Sequence, residues 1–351
     1  MTLNHAILSG GYAARRFVFS GTLLLAGIGC AASTEPAPSG NPDLQTGADA
    51  LQATVAAATA VAPPEAGAAP LPPCPEAPTT YSAHKDLAYG ADDAHKLDVF
   101  VPAGAGPFPL AIFVHGGGWV GGDKAGALIL PLAKQGYVVA SINYRFSDVA
   151  KFPAQIHDVK AAIRWLRANA ATYKIDAGRV AIAGGSAGAH LAALAGTSGN
   201  VPQMEDLSMG NRSQSSVVQA VVDLAGPTDF SQMDALPSPN CLDPKPHDVA
   251  TSGVSKLVGC VISTCPVIVQ RANPIRYITA DDPPFFIMHG DADCTVPLSQ
   301  SQLLTRALRA AQVPAKLVVL PDAEHMGPEF KTATSQALIQ QFLDTRLKRC
   351  R

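Results

Sequence analysis

Basic runs are missing from this sequence. Its 26 Lys and Arg residues face 28 Asp and Glu, for a net charge of −2, and nowhere do the cations cluster as binding to a polyanion requires. Nucleic acid is therefore excluded as a partner. No Cys-x-x-Cys pair and no Cys/His cluster at zinc spacing occurs, so the chain is read without a metal site, and no internal repeat is visible. Charged residues make up only 15% of the chain and hydrophobic residues 47%, the balance of an ordinary globular protein. From residue 31 to about 80 large apolar side chains are scarce among Ala, Pro, Gly, Ser and Thr. Such a stretch cannot bury enough surface to offset its ordering entropy, and it is expected to be a disordered tether over 31–80.

Residues 1–30 read as an export signal. Arg15 and Arg16 precede an apolar run from Phe17 to Gly29 that is short for a bilayer span; an uncleaved anchor helix is the competing reading. Cys30 ends that run after Ile28-Gly29 and resembles the lipid-accepting cysteine of a bacterial lipobox, although Gly27 stands where that motif usually has a large aliphatic residue. Cleavage near Ala31-Ala32 is the alternative, and Arg15-Arg16 lacks most of a twin-arginine pattern. A lipidated Cys30 would attach the exported protein to a membrane, with the tether holding the folded part clear of it. Six further cysteines remain, at 74, 241, 260, 265, 294 and 350. In an exported domain these permit three disulfides, each stabilising by roughly 2–5 kcal/mol.

From Tyr81 to residue 351 short apolar runs alternate with helical patterns, as in a mostly parallel sheet covered on both faces. Strands are expected at Leu97–Val101 (an edge strand, from its alternation), Leu110–Val114, Tyr137–Ile142, Val180–Ala183, Ala220–Leu224, Pro284–Met288 and Leu317–Leu320. Helices are expected over Ile156–Leu166, with Lys160, Arg164 and Arg167 on the face away from the sheet, and over Ala187–Ala195, Gln300–Ala311 and Ala337–Leu347. Ser198–Ser216 and Ser231–Asn273 break the alternation and are read as insertions over the carboxyl edge of the sheet, where such folds bind ligands.

Ser186 lies in Gly184-Gly185-Ser186-Ala187-Gly188, between an expected strand and an expected helix. A nucleophile on a sharp turn needs such glycines because the turn leaves no room for side chains. His115-Gly116-Gly117-Gly118-Trp119 closes an earlier strand, and the amides of Gly117 and Gly118, with that of Ala187, are the expected oxyanion donors. A phosphate loop would supply Lys-Ser or Lys-Thr after the glycines, where Trp119-Val120 stands. His325, after the last strand, is the expected base, and Asp293, in the loop after His289-Gly290, the expected acid; Asp291 is assigned to holding that loop. His115, His190 and His289 are read as structural, and Asp322 as too near His325 in sequence to be its acid. A disulfide from Cys294 to Cys241, Cys260 or Cys265 would brace the acid loop.

Together with Asn143-Tyr144-Arg145, Gly226-Pro227-Thr228-Asp229 and His289-Gly290-Asp291-Ala292-Asp293-Cys294-Thr295-Val296-Pro297, these motifs resemble the bacterial esterases related to hormone-sensitive lipase, in particular the feruloyl-esterase-like (BD-FAE) carboxylesterases. The likeness covers nearly all of 81–350 and implies an α/β-hydrolase fold and hydrolysis of small or short-chain esters through an acyl-enzyme, without metal or organic cofactor. One departure is at the base, where the family commonly has Gly-His-Gly and this chain has Glu324-His325-Met326. The loop at 289–297 also resembles the prolyl-oligopeptidase group, which makes a serine peptidase or acylpeptide hydrolase the alternative; no propeller precedes the hydrolase body in this sequence. A non-catalytic, surface-tethered binding protein is a further alternative, which the complete set of Ser, His and Asp disfavours. The insertions over 198–273 hold Phe230 as their one aromatic residue apart from the histidines, an argument against a feruloyl substrate.

Overall fold

A computed structural model describes residues 76–348. The expected signal, Cys30, nearly all of the tether, Cys74 and Cys350 lie outside the described residues. Eight strands form one sheet in the order β1-β2-β4-β3-β5-β6-β7-β8: Tyr81–Ala88 (β1), Lys96–Pro102 (β2), Phe108–Val114 (β3), Val138–Ile142 (β4), Ile175–Gly185 (β5), Ala220–Leu224 (β6), Phe285–Gly290 (β7) and Ala315–Leu320 (β8). From β4 to β8 every pairing is parallel; β2 runs antiparallel to both of its neighbours.

The central strands are apolar on both sides because both sides are covered. Leu110, Ile112 and Val114 of β3 face one core with Val180 and Ile182 of β5, while Ala111, Phe113, Ala181 and Ala183 face the other. The first core is closed by Ala154–Ala168 (α1), Ala187–Thr197 (α2) and, after the short helices Gly253–Val258 (α3) and Pro266–Ala272 (α4), by Leu298–Ala310 (α5). Ala333–Leu347 (α6) and the 3-10 segment Leu130–Gln135 close the second. This is the α/β-hydrolase architecture that the sequence implies.

Three expectations need correction. Leu97–Val101 is not the edge: β1, an exposed polar strand, pairs outside it. The alternation that suggests an edge comes from Asp98, which is buried and satisfied by Lys85 and Lys124. Lys160, Arg164 and Arg167 do not face solvent either; all three are buried. The segment 198–216 lies on them. Lys160 donates to the Ser198 carbonyl, Arg164 pairs with Glu205 and donates to the Gly210 and Asp206 carbonyls, and Arg167 donates to the Ser215, Val217 and Ala177 carbonyls. The third correction follows from the second. Because 198–216 joins the end of α2 to the start of β6, and Gln219 bonds Val180 where β5 enters the sheet, it covers the amino edge, away from the carboxyl edge. Only the second insertion, 231–273, reaches the carboxyl edge.

Arg164 is 1% exposed, so removing it leaves Glu205 with only the longer 3.4 Å ion-pair contact to Lys160 in a mostly dry setting. Arg164→Met is expected to lower unfolding free energy by about 3 kcal/mol, measured by urea titration.

Candidate active site

Strand β5 ends in a turn that places Ser186 at φ 56°, ψ −122°, a left-handed conformation that costs a non-glycine residue roughly 1–3 kcal/mol. Packing holds it there. A Cβ on Gly188 would fall 2.1 Å from the Val114 carbonyl oxygen, and one on Gly184 would fall 2.2 Å from the Gly188 carbonyl oxygen. Both contacts are closer than any side chain allows, so α2 can start against β3 only with glycine at these positions. Ser186 donates its own amide to the Leu224 carbonyl. The Ala187 amide, in the first turn of α2, has no intrahelical acceptor.

His325 comes from the loop after β8. Its Nε2 is 2.8 Å from Ser186 Oγ and its Nδ1 is 2.6 Å from Asp293 Oδ2. Asp293 is 1% exposed. Its Oδ1 accepts the amides of Thr295 and Val296 at 2.8 Å each, and His289 Nε2 stands 3.3 Å from Oδ2. Burial pushes the Asp293 carboxyl up, but hydrogen bonds and charge from His289 and His325 outweigh it and hold the group well below the usual carboxylate range. Met326, where a glycine is common in the resembling family, adopts φ 53°. That left-handed backbone is the physical reason for a glycine there, and His325 reaches both partners despite its absence.

Gly117 and Gly118 line the same cavity as Ser186 and His325, a space of about 810 Å³. Ala187 faces a second cavity of about 340 Å³, which Gly118, Trp119 and Ser186 also line and which the second insertion closes through Met233, Lys245 and His247. Ser186 thus stands where two cavities meet. Asn143, Tyr144 and Arg145 support this end of the sheet. Asn143 accepts the Lys124 amide and donates to Asp123, Tyr144 donates to the His115 carbonyl, and Arg145 pairs with Asp158.

The other histidines are tied into the frame. His115 stacks on Tyr144 at 4.6 Å and bonds the Gly116 carbonyl. His190 donates to the Ala272 carbonyl at the end of the second insertion and meets Trp119 edge-on; burial pushes its pKa down to about 4, so it is neutral. His289 accepts from Ser301 and donates to the Val296 carbonyl. Asp291 accepts the Asp322 amide, the loop-holding role assigned to it. Cys294 is bonded to Cys241, and Cys260 to Cys265, so the loop carrying Asp293 is covalently tied to the second insertion. Asp234 and His247, which bond one another at 2.6 Å beside this loop, belong to no recognisable motif and are not legible as functional residues in the sequence.

The BD-FAE family model matches residues 97–308, and the prolyl oligopeptidase family model matches 267–350. The chain belongs to the BD-FAE family. It is 35% identical to the esterase LipC of Mycobacterium tuberculosis over 254 residues, 70% of this chain and 60% of that protein. The chain therefore spans about 60% of the length of this curated relative. Among solved structures, a truncated carbohydrate esterase from gut microbiota is 33% identical with a TM-score of 0.70, covering 77% of this chain and 98% of that one. Esterase 2 of Thermogutta terrifontis, phosphonylated by sarin, is 26% identical with a TM-score of 0.60, covering 77% and 96%.

The Asp293 carboxyl has a folded pKa below its unfolded value of about 3.9. It therefore contributes stability that is present above that value and lost as pH falls through the lower, folded pKa. Asp293→Asn should flatten this acid-side loss, read as a shallower slope of unfolding free energy against pH below about 4.

Proposed function

We propose that the chain is a serine carboxylesterase acting on small or short-chain esters. The observation that carries this reading is the His325 ring bridging Ser186 Oγ at 2.8 Å and Asp293 Oδ2 at 2.6 Å. His325 Nε2 takes the Ser186 proton as Oγ attacks the ester carbonyl carbon. The Asp293 carboxylate accepts Nδ1–H, fixing the tautomer and stabilising the imidazolium. The tetrahedral oxyanion lies toward the amides of Gly117, Gly118 and Ala187, each such donor typically contributing roughly 2.7–4 kcal/mol to the transition state. His325 then protonates the departing alcohol, and water, deprotonated by the same ring, cleaves the acyl-enzyme.

Several observations support the substrate class and setting. The cavities of about 810 and 340 Å³ at Ser186 fall in the range of small-molecule sites, roughly 300–1,000 Å³. The relatives named above are esterases. The two disulfides suit an oxidising compartment, consistent with export and with attachment to a membrane through a lipidated Cys30. The prolyl oligopeptidase match spans Asp293 and His325 and keeps an acylpeptide hydrolase as the second reading.

Ser186→Ala should reduce turnover of p-nitrophenyl acetate at least 1,000-fold, on the order of the loss when a nucleophile is removed, with an unchanged thermal midpoint. Retained turnover contradicts the assignment. Wild-type activity on an acyl-peptide anilide exceeding that on the ester would favour the peptidase reading.

A further inference from the structure

The turn that holds Asp293 is gripped from its far side by a second acid and histidine. His247 Nε2 is 2.8 Å from the Thr295 carbonyl oxygen, and its Nδ1 is 2.6 Å from Asp234 Oδ1. A carbonyl and a carboxylate only accept hydrogen bonds, so the ring is held between two acceptors and its orientation is fixed by both. Asp234 is fixed in turn, since its oxygens accept the amides of His247 and Asp248 at 2.9–3.0 Å. His247 is 8% exposed.

The Thr295 carbonyl and the Val296 amide belong to one planar peptide unit. Its oxygen accepts from His247, and its N–H donates to Asp293 Oδ1 at 2.8 Å. The order is therefore imidazole, peptide, carboxylate. A hydrogen-bond donor at the oxygen polarises the peptide and strengthens its N–H as a donor, while the rigid plane transmits orientation. The neighbouring carbonyl, Val296, is held in the same way from β7 by His289 at 2.8 Å. The Cys241–Cys294 bond and the Lys245 amide on the Cys294 carbonyl tie the same turn to the same insertion.

We propose that Asp234 and His247 form a positioning pair for the acid of the site, orienting and polarising the 295–296 peptide that holds Asp293 against His325. This rests on the esterase reading. The pair touches none of the reacting atoms; it acts through Asp293, and hence on the step in which the His325 imidazolium forms.

The test compares wild type, His247→Ala, Asp234→Asn and Ser186→Ala on p-nitrophenyl acetate, with and without added imidazole, using Ser186→Ala to subtract solution hydrolysis. His247→Ala is expected to lower kcat by roughly 10- to 100-fold, the span typical when a supporting partner of a functional group is removed, with KM changed less than threefold. Cavities border His247 on two sides, so imidazole can enter the space left by the ring, and it should restore kcat at least threefold. Asp234→Asn, which keeps shape but removes the charge, should lower kcat less, and it serves alone if His247→Ala does not fold. A kcat within twofold of wild type in either folded variant overturns the proposal. So does a loss in His247→Ala that only tracks the folded fraction and is not rescued by imidazole. Wild type that neither hydrolyses the ester nor reacts with a fluorophosphonate overturns the esterase reading itself.

Discussion

Three stretches of backbone meet at the turn after β5 with no side chain between them. Gly188 lies against the Val114 carbonyl, Gly184 against the Gly188 carbonyl, and a Cβ on Gly116 would fall 2.8 Å from the Gly185 carbonyl oxygen. This contact forces Ser186 into its left-handed conformation and brings the loop after β3 beside it. The same contact aims the first turn of α2, with its unused amides, at the serine. The cost of one strained residue, roughly 1–3 kcal/mol, is small against a core in which each fully buried aliphatic side chain contributes roughly 1.5–3 kcal/mol.

Around that fixed point the remaining groups arrive from loops at the carboxyl ends of parallel strands, which is why residues 115, 186, 293 and 325 converge although they span more than half of the chain. The loops are not left to themselves. Tyr144 supports the His115 turn, His289 and His247 hold the turn after Asp293, and a disulfide ties that turn to the insertion walling the smaller cavity. Asp293 is consequently almost fully buried yet ionised, since every acceptor position it offers faces an N–H.

What was legible in the sequence followed local chemistry. The strands β3, β4, β6 and β7 and the second half of β5 stand out as apolar runs because both faces are buried, and the glycines around Ser186 and after His115 stand out because backbone approach leaves no other residue possible. What was not legible depended on partners distant in the chain. β1, Tyr81–Ala88, is polar and mostly exposed, so nothing in its pattern marks it as a strand, and the alternation of β2 has the look of an edge although β1 pairs outside it. Lys160, Arg164 and Arg167 have the pattern of a solvated helix face, but 198–216 lies on them, its carbonyls supplying the acceptors that let the cations be buried. Asp234 and His247 acquire meaning only from the peptide they grip, 48 residues from His247.

The central claim is that Ser186 is the nucleophile, activated by a neighbouring ring. The most direct measurement is peptide mass mapping after treatment with a p-nitrophenyl organophosphate. The account predicts one phosphoryl adduct per chain, located on the peptide containing Ser186, and none when His325 is replaced by Ala under the same exposure. An adduct on another residue, or none in the folded wild-type protein, would contradict it.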